Sequence, residues 1–415
     1  MKPSVFISLF LTVFIAFSAV AEINDKIEPA AKKYYKQGLE KLKKGDFSEA
    51  LTDFTSAIAI KSDYEQALLK RAFTHEKLGN SFQAIEDYNA VIKINSKNQE
   101  AIYARGHLNS RVGLDDEAVK DYSSLIALDP KNYKAHYERG LIYSIMGLYP
   151  ETLKDFERCS QLKPGAEIDY ITGVIESKLG NDEKAIKFFT NALKFEKDNG
   201  NFYFHRADSK IKLGRYAEAL EDLNHARIKD TLNKDAYIFH RMGIANHYLR
   251  NYNEAMANFN LAIDINPIVN DFYYNRANTS MSLGNFAQAA EDFSMVIELD
   301  PEGLDPYINR AAAFTSLGNF KEAEMDYSTY IEKNPYNFFI YQKRADVRVS
   351  MKNMEGALSD LNVLIELKPE NASAYFNRGM LEFKLNKRED ACKDLRKSSE
   401  LGNKEVAELV KKNCE

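Results

Sequence analysis

Small and apolar residues recur along residues 31–402 with a period close to 34. One small residue, alanine in all but one repeat, marks the same position in each repeat. The spacing between these marking residues is 34 except for one step of 33 and one of 36, which gives eleven repeats. Twelve residues before each mark lies Gly or Ala, and four residues after it lies Phe, Tyr or Leu. This pattern predicts two antiparallel helices per repeat, with small residues where their backbones approach. The marks are Ala50, Ala84, Ala118, Thr152, Ala185, Ala219, Ala255, Ala289, Ala323, Ala357 and Ala391.

Glycine and proline occur at two fixed phases of the repeat. Eight repeats have glycine midway, as at Gly45, Gly79 and Gly284, where the first helix must stop and reverse. Six prolines follow the second helices, because proline cannot continue a helix. The pattern therefore favours helical hairpins over strands, since no segment alternates with a period of two. The six prolines are Pro130, Pro164, Pro267, Pro301, Pro335 and Pro369.

The spacing resembles that of the tetratricopeptide repeat family from about Ala31 onward. Residues 304–335 illustrate it with Tyr307, Ala311, Gly318, Phe320, Ala323, Tyr327 and Pro335. The resemblance implies an all-α fold, a right-handed superhelical solenoid of about eleven hairpins whose first helices line a concave groove. Residues 31–402 are then eleven tandem repeats, and we expect 403–415 to be a capping helix with Asn403 as its N-cap.

The first 21 residues have the pattern of a secretory signal peptide. Lys2 provides a positive start, residues 5–17 are almost wholly apolar, and Ala19-Val20-Ala21 is a small-residue cleavage site. An uncleaved membrane anchor is the alternative, because residues 4–21 are just long enough to span a bilayer. Cleavage would leave a short segment, 22–30, before the repeats. We therefore expect a periplasmic or secreted chain that is not inserted in a membrane.

An arginine and an aspartate sixteen residues apart occur together in eight repeats. The repeats that have Thr172 and Met242 in place of the arginine also lack the aspartate, so the two residues are present or absent together. Only Gln37 with Asp53 breaks the rule. We predict a structural ion pair between the two helices of each hairpin. The pairs are Arg71 and Asp87, Arg105 and Asp121, Arg139 and Asp155, Arg206 and Asp222, Arg276 and Asp292, Arg310 and Asp326, Arg344 and Asp360, and Arg378 and Asp394.

Asn275, Asn309, Lys343 and Asn377 occupy one equivalent position, one residue before the arginine. Equivalent positions stack along a solenoid, so these side chains should form a row. In some relatives with this fold, asparagines at this position grip a peptide backbone, which an amide's donor and acceptor suit. The row is therefore a hypothetical site for a peptide or protein partner. Solvated polar residues carried along by repeat duplication are the alternative.

The chain has three cysteines, and two of them lie near its C-terminus. Cys392 and Cys414 stand ten residues before and twelve residues after Gly402, so a helical hairpin would place them at similar depth. In an oxidising compartment they could form a disulfide that clamps the last helix, and two independent surface thiols are the alternative. Cys159 replaces a small core residue and is expected to be a buried, inert thiol.

Composition and motifs narrow the function. A net charge of -5 argues against a nucleic-acid partner, which would need a surplus of Lys and Arg. No catalytic elbow, phosphate-binding loop or paired metal-ligand motif occurs, so we expect neither catalytic residues nor a cofactor nor a metal. The sequence thus favours a non-catalytic interaction scaffold that binds a peptide or partner helix. A structural subunit of a cell-envelope or secretion complex is the alternative, and an enzyme is less favoured.

Overall fold

The computed structural model describes residues 28–229 and 235–414. The expected signal peptide, residues 1–21, lies outside the described residues, as does most of the expected segment 22–30. Residues 28–30 are already helical, so the first helix begins before the expected start of the repeats at residue 31. The described part consists of helices and turns, without a strand. None of its helices combines the length and the apolar character needed to cross a bilayer.

Helices follow one another through the described residues and are numbered in chain order. Up to α22, odd numbers are the first helices of repeats and even numbers are the second helices. Their bounds are α1 28–44, α2 Phe47–Ile60, α3 Glu65–Lys77, α4 Ser81–Ile94, α5 Gln99–Arg111, α6 Asp115–Leu128, α7 Tyr133–Ile145, α8 Tyr149–Leu162, α9 Ala166–Lys178, α10 Asp182–Phe195, α11 Gly200–Lys212, α12 Tyr216–Lys229, α13 Ala236–Tyr248, α14 Tyr252–Ile265, α15 Asn270–Leu283, α16 Phe286–Leu299, α17 Asp305–Leu317, α18 Phe320–Lys333, α19 Phe338–Ser350, α20 Met354–Leu367, α21 Ala372–Lys384, α22 Arg388–Glu400 and α23 Val406–Asn413.

The helices form two compact units of consecutive hairpins. The N-terminal unit ends at Glu196 and contains α1–α10. The C-terminal unit begins at Lys197 and contains α11–α22, followed by α23. Within each unit a first helix packs on its own second helix, and that second helix packs on the next first helix. The fold is therefore an all-α repeat solenoid, as the period of 34 predicts.

Small and large residues interlock inside the hairpins. A Cβ added at Gly243 on α13 would lie 2.5 Å from the ring of Phe259 on α14. In the hairpin α17–α18, Ala311 and Tyr327 occupy the same two positions, and both are buried. The two helices can approach this closely only where one of the facing side chains is small.

The turn inside each hairpin requires one residue in the left-handed conformation. Eight repeats place glycine there, as at Gly318 with φ 83°. Three repeats lack the glycine and hold Arg250, Lys352 and Asn386 at φ 63°, 63° and 60°. A side chain with a Cβ resists this conformation, because the Cβ comes close to the following carbonyl oxygen. Packing of the two helices therefore imposes the turn even where the residue opposes it.

The C-terminal helix is shorter than expected. Gly402 has φ 96°, and the backbone N–H of Asn403 donates to Ser398 O at 3.1 Å. Asn403 therefore completes the end of α22, and the N-cap of the next helix is Glu405. Helix α23 begins at Val406, which is fully buried. The expected boundary of the capping helix, 403–415, was wrong by three residues at its start.

Replacing Lys352 with glycine should stabilise the C-terminal unit, because glycine adopts a positive φ without a steric clash. We expect the free energy of unfolding to rise by about 1 kcal/mol. The reverse change, Gly318→Ala, adds a Cβ that meets no atom within 4 Å and should cost about as much through the backbone alone. Denaturant unfolding followed by circular dichroism measures both variants. Equal stability of both variants and the parent would show that the turn carries no strain.

Candidate functional site

Bidentate ion pairs join the two helices of eight hairpins. In each, Nε and Nη2 of the arginine donate to the carboxylate oxygens of the aspartate sixteen residues later, at 2.5–3.2 Å. The aspartate side chains are only 2–7% exposed and the arginine side chains 14–24%. All eight pairs named from the sequence have this geometry. A planar guanidinium suits the arrangement because its fork matches the two oxygens.

The same arginines also reach the preceding repeat. In seven cases Nη1 donates to a small polar side chain sixteen residues earlier, on the second helix of the preceding hairpin, at 2.6–3.4 Å. One guanidinium therefore connects three helices. Sequence reasoning missed these acceptors, although Ser, Thr or Asn at this spacing was a usable signal. The acceptors are Thr55, Asn89, Ser123, Asn260, Ser294, Ser328 and Asn362.

A second partner reaches the aspartate from one helical turn beyond the arginine. Arg348 Nη1 lies 2.9 Å from Asp360 Oδ2, and Lys210 Nζ lies 2.8 Å from Asp222 Oδ2. Side chains four residues apart share a helix face, so this position points at the same carboxylate as the arginine. A basic residue twelve positions before the aspartate is the sequence signal of this second partner, and it is separate from the arginine sixteen positions before.

The first repeat uses this second position in place of the arginine. Gln37 stands where other repeats have arginine, and Lys41 Nζ lies 2.9 Å from Asp53 Oδ2. The one exception to the arginine rule therefore still has a cation beside its aspartate. Thr172 and Met242, in the two repeats without the aspartate, are buried among their neighbours.

Burial of the carboxylate opposes the attraction of its partner. Burial raises the pKa of Asp326 above its ordinary value, although its hydrogen bonds with Arg310 act in the opposite direction. For this carboxylate, desolvation thus outweighs the effect of the pairing on its ionisation, as can happen for ion pairs taken out of water. We infer that the pair mainly specifies which helices meet, and that losing either partner alone is costly.

The asparagine row, Asn275, Asn309 and Asn377, connects neighbouring first helices. Asn309 Nδ2 donates to the hydroxyl of Tyr274 at 3.1 Å, and Asn377 Nδ2 donates to Gln342 Oε1 at 3.2 Å. All three asparagines are partly exposed, and within residues 235–414 no donor contacts their Oδ1 atoms. The structure thus fixes each amide by its nitrogen and leaves its oxygen able to accept another hydrogen bond.

Lys343, the remaining member of the expected row, behaves differently. Its Nζ lies 5.1 Å from the ring centroid of Phe339, one turn earlier on α19. The side chain is exposed and makes a cation–π contact in place of an amide bond to the neighbouring helix. The row is therefore interrupted at α19.

A cavity of about 240 Å³ lies between α19 and α21, beside the last asparagine of the row. Its polar lining is Gln342, Asp346, Asn377 and Lys384, and its apolar lining includes Val349, Leu361, Met380 and Leu381. Burial raises the pKa of Asp346, while a hydrogen bond from Gln342 lowers it. The site offers apolar contact, amide groups and one charge of each sign within reach of a single ligand.

A larger cavity, about 470 Å³, is lined by residues of α3 to α7 in the N-terminal unit. Phe73, Tyr88, Tyr103, Glu76 and Glu100 are among its lining residues. The Tyr88 hydroxyl donates to Glu76, and both burial and this contact raise the pKa of Tyr88. Burial raises the pKa of Tyr103 to about 12. These phenols stay neutral, so the cavity has aromatic walls with carboxylates beside them.

The histidines of α13 are not brought together as ligands. His240 Nε2 lies 3.1 Å from Asn275 Nδ2, whereas His247 Nδ1 lies 2.9 Å from Thr279 Oγ1. Burial and the neighbouring Arg241 lower the pKa of His240 to about 4, which keeps the ring neutral. Among the described residues no group of three or more potential ligands is gathered for a metal ion.

A disulfide joins Cys392 on α22 to Cys414 after α23. Arg388 donates to Asn413 O and Arg396 donates to Cys414 O, both at 2.8 Å. These contacts fasten the C-terminal end of the short helix α23. Cys159 is a free, fully buried thiol whose pKa burial raises to about 12, so it is unreactive.

This fold and these contacts define a class of protein, the solenoid of stacked helical hairpins that offers an extended binding surface. Residues 66–98, 236–268, 271–302 and 372–404 match family models described as tetratricopeptide repeat. The chain therefore contains tetratricopeptide repeats. No curated protein matches it.

Several solved structures are similar to parts or most of the chain. MamA is 26% identical, covering 41% of this chain and 93% of its own, with a TM-score of 0.39. YrrB, described as a tetratricopeptide repeat protein with an unusual peptide-binding site, is 22% identical, covering 44% and 94%, with a TM-score of 0.40. Yeast Tom70 is 14% identical, covering 93% and 97%, with a TM-score of 0.39.

Arg310→Ala should destabilise the C-terminal unit by about 3 to 5 kcal/mol, because it leaves the buried carboxylate of Asp326 without its cation. Replacing both residues, as Arg310→Met with Asp326→Leu, should recover most of that loss. Denaturant unfolding of the single and double variants gives the coupling energy. Additive losses in the double variant would show that the two side chains do not act together.

Reduction of the disulfide should unfold α23 locally, because an eight-residue helix is not stable alone. Hydrogen exchange of residues 406–413 should accelerate in reductant, reflecting a loss of about 2 to 4 kcal/mol of local stability. The variant Cys392→Ser with Cys414→Ser should exchange quickly with or without reductant. Slow exchange of α23 in this variant would mean that its noncovalent contacts suffice.

Proposed function

We propose that this protein is a non-catalytic scaffold that holds an extended peptide or a partner helix against its first helices, outside the cytoplasm. The observation that carries the proposal is the asparagine row next to the cavity between α19 and α21. In general terms, the chain is a tetratricopeptide repeat scaffold for protein interaction. The proposed binding site lies on the first helices of its C-terminal unit.

The asparagine row suits recognition of a peptide backbone. Each amide nitrogen is held by the preceding first helix, so the side chain is positioned before any ligand arrives. The free Oδ1 atoms of Asn309 and Asn377 can accept hydrogen bonds from peptide N–H groups. A positioned acceptor loses little side-chain entropy on binding, which favours affinity.

The adjacent cavity suits one side chain of the same ligand. Val349, Leu361 and Met380 provide apolar contact, while Asp346 and Lys384 stand beside them. Ligand sites commonly combine an apolar lining with a few polar groups that fix orientation. The proposed ligand therefore places an apolar side chain in the cavity while the asparagines bind its backbone.

The disulfide supports a location outside the cytoplasm. Disulfides persist in secreted and periplasmic proteins, whereas cytosolic thiols are kept reduced. The bond between Cys392 and Cys414 agrees with the signal peptide expected at residues 1–21. We therefore propose that the chain is exported and that residues 1–21 are removed.

Three perturbed acid–base groups in different parts of the chain support a role without catalysis. Tyr88, His240 and Glu382 are among the groups with strongly shifted pKa values, and they lie on α4, α13 and α21 in separate hairpins. Catalytic acids and bases must converge on one reacting group. Here each such residue is enclosed by the side chains of its own and neighbouring helices.

Photocrosslinking in the native envelope fraction tests the site. A crosslinking amino acid at Met380, in the cavity, should capture a partner that the same group at Met325, exposed on α18, does not. Changing Asn275, Asn309 and Asn377 to alanine should weaken binding about 100-fold, if each hydrogen bond contributes about 1 kcal/mol. Binding of the captured partner is then measured with purified proteins.

The matched control changes three equivalent exposed residues of second helices, Glu298, Glu332 and Glu366, to alanine. This variant should bind as the parent does. A partner that crosslinks equally from Met325, or that survives the asparagine changes in a folded protein, would place binding elsewhere. Such a partner would favour the alternative, a structural subunit of an envelope or secretion complex.

A further inference from the structure

Helix α21 carries a buried carboxyl group that none of the contacts above explains. Glu382 is only 7% exposed, and its Oε2 is buried without a hydrogen-bond partner. An ionised carboxylate in such a place would be costly, because it has lost water without gaining a donor.

Comparison with the other hairpins shows what is unusual. Glu382 follows Arg378 by four residues, the position that holds Arg348 in the preceding repeat. There the second cation contacts Asp360, whereas here that position holds a carboxyl group that interacts electrostatically with Asp394. Helix α21 lies close to Asp394, because a Cβ added at Gly379 would be 3.3 Å from the Asp394 Cβ. The last hairpin therefore replaces a cation beside the buried aspartate with a second acid.

The charged groups around Glu382 come from each neighbouring element. Arg378 lies on its own helix, Asp390 and Asp394 lie on α22, and Lys387 lies in the turn between them. The nearest cations are already engaged. Arg378 binds both oxygens of Asp394.

On the side of α20, the group that approaches this turn is Glu355, whose carboxylate lies 3.8 Å from Lys387 Nζ. One repeat earlier, Arg348 on α19 contacts Glu324 on α18. The position on α20 that corresponds to Glu324 is Leu358. Helix α20 therefore brings no cation to Glu382. Asp390 and Asp394 thus act on a carboxyl group whose neighbouring cations bind other carboxylates.

Two interacting carboxyl groups in a buried site do not both ionise readily, and such a pair titrates together. Burial, followed by the charge of Asp394, raises the pKa of Glu382 from its ordinary 4.5 to about 7. The protonated acid has an O–H that can donate to an acceptor such as Asp394. Protonation thus removes the repulsion and supplies a donor at once.

We propose that Glu382 and Asp394 form a proton-binding site, and that uptake of this proton tightens the last hairpin, α21–α22, while its release loosens it. The proposal stands on the buried acid pair and does not depend on the proposed peptide-binding function. It assigns the C-terminal hairpin a response to pH close to neutrality.

The direction of the pH effect follows from proton linkage. The folded hairpin holds a proton on Glu382 at pH values where unfolded glutamate has already lost it. Stability is therefore highest below the unfolded pKa of 4.5 and falls as pH rises toward the folded pKa of about 7. Above that value the full penalty of the charged acid pair is present.

Hydrogen exchange of the full oxidised chain, corrected for the intrinsic pH dependence of exchange, tests the proposal. Between pH 5.5 and 8, protection of α21 and α22 should fall on the order of tenfold. The hairpin α19–α20, which has Arg348 at the equivalent position, should lose no protection through this site and is the internal control. Equal pH profiles in the two hairpins would overturn the proposal.

Two variants separate the acid pair from general loosening of the chain end. Glu382→Gln keeps the shape without a charge, so it should remove the pH dependence and raise protection at pH 8. Glu382→Arg recreates the arrangement of the preceding repeat and should likewise be independent of pH. A pH dependence that persists in Glu382→Gln, or a carboxyl of Glu382 that titrates at its ordinary value by nuclear magnetic resonance, would contradict the proton site.

Discussion

The junction made by one arginine with three helices is the contact on which the rest of the structure depends. Its guanidinium binds the aspartate of its own hairpin through two nitrogens and a small polar residue of the preceding hairpin through the third. Arg310 shows the arrangement, with Asp326 on α18 and Ser294 on α16. Because the directions of these bonds are fixed by a planar group, each junction sets both the pairing within a hairpin and the register to its neighbour.

Successive hairpins pack on one another in the same register, so side chains at equivalent positions line up as the asparagine row and the cavity beside it. Asn309 and Asn377 lie two repeats apart, yet each donates to the residue 35 positions earlier, on the preceding first helix. Neither bond would form if successive hairpins were rotated differently. The same register places Gln342 and Asp346 beside Asn377, which creates the cavity between α19 and α21. The proposed peptide site is therefore a consequence of the structural junctions.

Departures from the repeat are most informative near the two ends. The first hairpin lacks the arginine and pairs Asp53 with Lys41, whereas the last keeps Arg378 and adds the acid Glu382. Within each unit, interior hairpins contact neighbours on both sides, but the last hairpin of the chain is followed by the short helix α23 and a disulfide. A terminal hairpin can therefore vary in stability with pH or redox state without disturbing the register of the others.

The amino-acid sequence by itself determined the helices, the hairpins and the identity of the arginine and aspartate partners. These depend on residues 34 or fewer positions apart, so a regular spacing such as that of Arg310 and Asp326 exposes them. Tertiary structure alone decided the turn at Lys352, the start of α23 at Val406 and the neighbours of Glu382. The physical reason is that the packing of whole helices overrides local preference, and that the environment of a buried side chain comes from several elements at once.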